Sequence, residues 1–254
     1  MCGLSAIFLS PQKRTMLQWD KLREIFTECL LANEEKGREA CGIGIVYREG
    51  HQIIYKQPIS ASEFVKTSKY QEILSLLSQN TIALLGHTRK PTKGNRYNYS
   101  NNHPIHSGHI IGIHNGHIKN DDQLFSEYPI ERSAEVDSEV IFQLIHQADP
   151  KMMDLHQYIG YLKANIRKLK GNYTFIYNDN RVPNRFVVIK KNRPLSYHWD
   201  KSYRSLFFST SYVFLRKKFG RPVIAEKFPY NYGYIFDINL LSLPAPSVLQ
   251  SFPV

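Results

Sequence analysis

Eight short runs rich in β-branched and aromatic residues, separated by helical stretches that come in groups, constrain this chain most. They are Leu4–Leu9, Gly42–Tyr47, Gln52–Tyr55, Ile82–Gly86, His109–His114, Tyr173–Tyr177, Phe186–Ile189 and Leu206–Ser209. Strands that do not alternate one-for-one with helices point to antiparallel sheets with helices packed outside them, an α+β class. Leu22, Ile25, Phe26, Cys29 and Leu30 predict an amphipathic helix over 17–35. A second helix is expected from Ser62, as its cap, to Leu77. A third starts near Asp137, and a fourth carries Leu155, Ile159, Leu162, Ile166 and Leu169 before Gly171 ends it.

At 254 residues, with 42% hydrophobic and 22% charged residues, the chain can bury a substantial core, and a disordered chain is excluded. No internal repeat or low-complexity linker divides it, so a single domain over 1–254 is expected. Three cysteines, Cys2, Cys29 and Cys41, form no CxxC pair and fit a reducing compartment better than a disulfide framework. The apolar stretch Leu4–Leu9 is too short for a signal peptide, and Lys13 and Arg14 follow it. No run approaches a membrane span. These features predict a cytoplasmic protein with no membrane partner.

The net charge of +11 is uneven, because residues 128–254 hold 18 Lys and Arg against 10 Asp and Glu. The clusters Arg167-Lys168-Leu169-Lys170 and Arg216-Lys217-Lys218 suit a solvated basic surface. Nucleic acid is the less favoured reading, since neither sits in a recognisable nucleic-acid motif.

The densest chemical signal is GHTRKPTKGNRYNYSNNHPIHSGHIIGIHNGHIKN, residues 86–120. An arginine at a strand end, Arg89, is placed to grip a carboxylate. Asn115-Gly116 after a strand suits a tight turn. At the other end of the chain, MCGLSAIFLS places Cys2 where loss of Met1 would leave one residue carrying both a thiol and a free α-amine.

Taken together and in order, MCGLSAIF, GREACGIGIV, HTRKPT, NNHPI, HNGHIKN and VDSEV resemble the N-terminal-nucleophile (Ntn) glutaminase domain of class II glutamine amidotransferases. That domain is best known from glucosamine-6-phosphate synthase, amidophosphoribosyltransferase and asparagine synthetase B. The resemblance runs from Cys2 to about Phe175 and continues weakly through Lys190–Leu195 and Phe208–Thr210. It implies a four-layer αββα sandwich with two antiparallel sheets. It also implies L-glutamine as substrate and no cofactor. Cys2 would be the nucleophile, forming a γ-glutamyl thioester and releasing ammonia.

The chemistry suits those residue types. A thiol with an ordinary pKa of about 8.5 can pass its proton to an adjacent α-amine of pKa about 8, as N-terminal nucleophiles do. By resemblance, the Asn115 side-chain amide and the Gly116 N–H hold the oxyanion. Arg89 takes the α-carboxylate with help from Thr92, and Asp137 takes the α-ammonium. The bland reading of Asp137 is a helix N-cap, a role compatible with substrate binding, which the motif favours.

The sequence also departs from the family pattern. Where the loop often reads HTRWATHG, this chain has His87-Thr88-Arg89-Lys90-Pro91-Thr92-Lys93-Gly94, so Lys90, Pro91 and Lys93 bring the pocket rim into question. The histidines at 103, 106, 109, 114 and 117 look like a metal tract but complete no zinc spacing, and no metal is expected. Cys29 and Cys41 read as inert core residues.

The glutaminase-like region accounts for nearly the whole length, and the Pro-rich end LPAPSVLQSFPV offers no synthase domain. The leading expectation is therefore a glutaminase that supplies ammonia to a separate synthase subunit, or to water. A hydrolase of another amide or γ-glutamyl compound is the second expectation. A non-catalytic basic interaction module is the third.

Overall fold

The computed structural model describes residues 1–220, 226–227, 229–242 and 248–254. Its strands in the first half are β1 (Gly3–Leu9), β2 (Ala40–Tyr47), β3 (Gln52–Gln57), β4 (Thr81–Arg89), β5 (Ile105–Ser107) and β6 (Ile110–Ile118). The second half adds β7 (Gly171–Asp179), β8 (Arg185–Lys191), β9 (Ser196–Asp200), β10 (Ser205–Ser209), β11 (Glu226–Lys227), β12 (Tyr232–Asp237) and β13 (Val248–Pro253). The helices are α1 (Met16–Asn33), α2 (Ala61–Phe64), α3 (Ser68–Ser75), α4 (Asp121–Glu127), α5 (Ser138–His146), α6 (Leu155–Lys168) and α7 (Tyr212–Phe219).

All strand pairings are antiparallel, in two sheets ordered β11-β9-β10-β1-β4-β2-β3 and β13-β12-β8-β7-β6-β5. Alternation along the strands sends successive side chains to opposite faces, and each face finds its own partner. Leu4, Ala6 and Phe8 of β1 meet Ile111, Ile113, Val188 and Phe186 of the other sheet. Ile7 and Leu9 turn the other way, onto α1, α3 and α7. On the far side, Phe175 and Tyr177 pack beneath α5 and α6. The layers are therefore helices, sheet, sheet, helices: the expected αββα sandwich. Among the described residues, no helix is long and apolar enough to cross a membrane.

The four expected helices and eight expected strands are present, with one helix differing. The stretch 62–77 is broken, because Ser60 caps α2 and Thr67 caps α3; the Thr67 hydroxyl accepts from Tyr70 N and donates to Phe64 O, closing one helix and opening the next. Of the Pro-rich end, residues 243–247 lie outside those described, while the remainder forms β13 beside β12. The two basic clusters behave as surface: Arg167 and Lys170 are exposed on and just after α6, Lys168 lies 4.0 Å over the Tyr128 ring, and Lys218 pairs with Glu24 and Glu28.

Asn33 is the polar knot that ties α1 to the central strands. Fully buried, its Nδ2 lies 3.1 Å from the Leu4 carbonyl, 2.9 Å from Ser5 Oγ and 3.0 Å from Ser209 Oγ, and its Oδ1 accepts from Thr210 Oγ1 at 2.7 Å. Asn33→Ala removes one partner from each of these groups in a dry interior, although Thr210 N still serves the Leu4 carbonyl, Leu4 N the Thr210 hydroxyl and Ser211 N the Ser209 hydroxyl. It should cost about 2–4 kcal/mol of stability, read from the urea midpoint against wild type.

Candidate active site

Cys2 stands immediately before β1, which lies inside its sheet between β10 and β4. Asn115 lies on β6, inside the facing sheet between β7 and β5. Stacking the two sheets brings these positions together: the Cys2 main-chain N–H donates to Asn115 Oδ1 at 2.9 Å. That bond commits the amide oxygen. The amide nitrogen, Nδ2, is buried and has no partner among the described residues, so a donor is held in place with nothing yet to donate to.

Asn115-Gly116 is not a turn. Both residues lie within β6, opposite Thr174 and Tyr173 of β7. Gly116 has φ +155°, and a Cβ there would collide with the main chain of Asn172 and Tyr173. The strand can thus pass the site this closely only as glycine.

Cys2, Gly116, Arg89, Thr92 and Asp137 line one narrow cleft. Asn115 stands behind its wall, reached through Cys2. Asp137 occupies the N-cap position of α5 but makes no capping bond. Its Oδ2 instead accepts from the Ile118 N–H at 2.6 Å and lies 3.3 Å from His117 Nδ1, which ties the carboxylate to the end of β6. Arg89, at the end of β4, is 3% exposed. Its Nη1 donates to Asn102 Oδ1 at 2.9 Å, and its Nη2 to the carbonyls of Lys93 and Gly94 at 2.7 and 3.0 Å. Three of its five N–H bonds therefore hold the 93–102 loop, and the remaining two have no partner among the described residues. Burial lowers the Arg89 pKa, against the pull of Cys2 and Asp137.

Cys2 is partly exposed, with Sγ 3.6 Å from the Lys90 carbonyl. Desolvation pushes its thiol up. The Lys90 contact, the nearby α-amine and Arg89 oppose that, and Asp137 reinforces it. The other two thiols are buried, and burial raises both, Cys29 to about 11. Of the unusual loop residues, Lys90 and Lys93 line the cavity. Lys93 Nζ reaches out of it to Asp121 and Asp122 of α4, at 2.6 and 2.7 Å, and Arg132 pairs with the same two carboxylates.

Three histidines noted in the sequence without a role in the site pack around it. His87 Nε2 donates to the His114 carbonyl at 2.9 Å, His103 stacks on His87 at 4.1 Å, and His114 Nδ1 contacts Ser138 Oγ at 2.7 Å. His103 and His114 line the cavity, whereas His109 sits in the turn before β6. Among the described residues, no cluster of histidine, cysteine and acidic side chains has a metal-binding arrangement.

The sequence matches the glutamine amidotransferase domain family over residues 96–217. The fold superposes on glutamine phosphoribosylpyrophosphate amidotransferase from B. subtilis with a TM-score of 0.68, at 18% identity, over 93% of this chain and 47% of that one. This is a class II glutamine amidotransferase domain. As such it is also similar to 7-cyano-7-deazaguanine synthase of Saccharolobus solfataricus, at 24% identity over 95% of this chain and 50% of that protein. Glutamine–fructose-6-phosphate aminotransferase (isomerizing) of Idiomarina loihiensis is 30% identical over 67% of this chain and 27% of its own length. The amidotransferase domain thus spans half or less of the curated relatives it matches.

Proposed function

We propose that the domain hydrolyses the side-chain amide of L-glutamine through Cys2, made N-terminal by removal of Met1. The observation that carries this reading is the buried, unpartnered Asn115 Nδ2 fixed beside Cys2 through the amide's other atom. Met1 removal puts the α-amine on Cys2 itself, nearer the thiol that the amine already favours as thiolate. The amine takes the thiol proton, and sulfur attacks the amide carbon. Negative charge gathers on the carbonyl oxygen, where Asn115 Nδ2 and the Gly116 N–H stabilise it. The C–N bond breaks as the α-ammonium returns the proton to nitrogen, which leaves as ammonia. Water then attacks the thioester, gives a proton to the same amine, and frees glutamate.

Arg89 and Asp137 flank the cavity with opposite charges, which suits the carboxylate and ammonium of an amino acid; Thr92 lies beside them. The ammonia serves a synthase activity. In support, the relatives are named as a synthase and an aminotransferase, and half or more of each lies outside the match.

Mass spectrometry after treatment with 6-diazo-5-oxo-L-norleucine tests the reading. One adduct on a Met1-free Cys2, blocked by excess glutamine and absent in Arg89→Ala, is expected. Retained Met1 would overturn the mechanism. A processed but unlabelled Cys2, with turnover of another γ-glutamyl amide, would transfer the chemistry to that substrate.

A further inference from the structure

Lys56 is a lysine buried to 5% exposure that pairs with no carboxylate among the described residues. Burying a cation without a counter-ion is costly, so its contacts indicate what that cost is spent on. Lys56 lies on β3, an edge strand of its sheet, and its Nζ donates to the carbonyls of Asn102 at 2.6 Å and Pro104 at 3.0 Å. The Tyr99 ring covers the ammonium at 4.5 Å. Lys56 is paired across the ladder with Gly42, and a Cβ at Gly42 would collide with the His103 carbonyl. The missing side chain is the space through which the 102–104 segment comes down onto the sheet, within reach of the lysine.

That segment carries Asn102, itself 2% exposed, whose Oδ1 accepts from Arg89 Nη1 and whose Nδ2 donates to the Arg96 carbonyl at 2.6 Å. The contacts form a relay from β3 to the end of β4: ammonium to Asn102 main chain, Asn102 side chain to guanidinium. Among the described residues, Arg89 pairs with no carboxylate; neutral oxygens orient it, and Lys56 fixes the residue that presents one of them.

We propose that Lys56 is a positioning residue for glutamine recognition, holding Asn102 so that the Arg89 guanidinium faces the substrate carboxylate. The proposal rests on the reading of Arg89 as the carboxylate-binding group. A lysine is the residue type the position calls for, because one flexible donor group must reach two carbonyls from a neighbouring strand, which a neutral chain of the same length cannot do.

The test compares Lys56→Met with wild type on two substrates: L-glutamine, and 4-aminobutanamide, which is glutamine without its α-carboxylate. Loss of an outer partner that supports a metal ligand costs about ten- to a hundredfold, and a loss of the same order is expected for a residue that positions a substrate-binding guanidinium. Lys56→Met should therefore raise KM for glutamine by about that factor, with kcat within about threefold. Its kcat/KM for 4-aminobutanamide should match wild type, and Lys56→Arg should recover part of the glutamine KM. Asn102→Ala should raise KM similarly, and combining it with Lys56→Met should add little, since the two act in one relay. Equal losses on both substrates, or an unchanged glutamine KM, would overturn the proposal. If Lys56→Met does not fold, Lys56→Gln is judged by the same criteria. An Arg89→Ala variant separates the two levels. If it leaves the glutamine KM unchanged, the carboxylate reading falls and takes Lys56 with it; if it raises KM while Lys56→Met does not, only the Lys56 proposal falls.

Discussion

Asn115→Ala is expected to lower kcat for glutamine hydrolysis about a hundred- to a thousandfold, equivalent to about 3–4 kcal/mol of barrier, while KM changes little. The asymmetry follows from where the amide points. Its oxygen is committed to Cys2 N at 2.9 Å, so the side chain cannot turn, and its buried nitrogen gains a full partner only when the carbonyl oxygen becomes an oxyanion. In the proposed mechanism Asn115 is a donor satisfied chiefly in the transition state, which lowers the barrier without tightening ground-state binding. Glutamate release measured at saturating and sub-saturating glutamine gives both constants. A loss under tenfold, or one confined to KM, would remove Asn115 from the oxyanion role.

Acid should destabilise the domain well before its carboxylates titrate. Burial depresses His87 to about 3 and His114 to about 4, and holds His103 well below its ordinary value, with Arg89 and Lys56 opposing a proton on His87 and His103. In the unfolded chain all three titrate near about 6.5. Their folded values are depressed, so the unfolded state binds protons first, and stability present above about pH 6.5 is lost as pH falls. Each group contributes about 1 kcal/mol between pH 6.5 and 5.5, or roughly 3 kcal/mol for the three. Urea unfolding at the two pH values reads this directly. An equal midpoint at both would mean that these rings are not held neutral in the folded domain.

The cavity places the departures in the 87–94 loop in physical terms. Lys93 points out of the site to α4, where it shares Asp121 and Asp122 with Arg132, while its carbonyl holds Arg89 within. One residue thereby joins the cavity-lining Arg89 guanidinium to a charge network on α4. Salt should screen its Asp122 arm, which is exposed, more than its Asp121 arm, which is buried.

Much of this protein is legible in its sequence. Strand and helix periodicity are local properties of the chain, so three of the four expected helices and eight of the strands can be read directly, while the helix expected over 62–77 is broken into α2 and α3 by the Thr67 cap. The glutaminase motifs also lie in continuous stretches, which brings Cys2, Arg89, Thr92, Asn115, Gly116 and Asp137 forward before any fold is known. What sequence could not supply is anything that depends on two distant segments meeting. Asn115-Gly116 looks like a turn until β7 pairs alongside it. Asp137 looks like a helix cap until the Ile118 N–H claims its carboxylate. Lys56 looks like an ordinary strand lysine, because nothing nearby in sequence marks it as buried beneath Tyr99, within reach of Asn102. The residue types at the site are set by local pattern and motif. Their protonation, partners and direction are set only when the two sheets stack, since hydrogen bonding and desolvation depend on neighbours in space and not on neighbours along the chain.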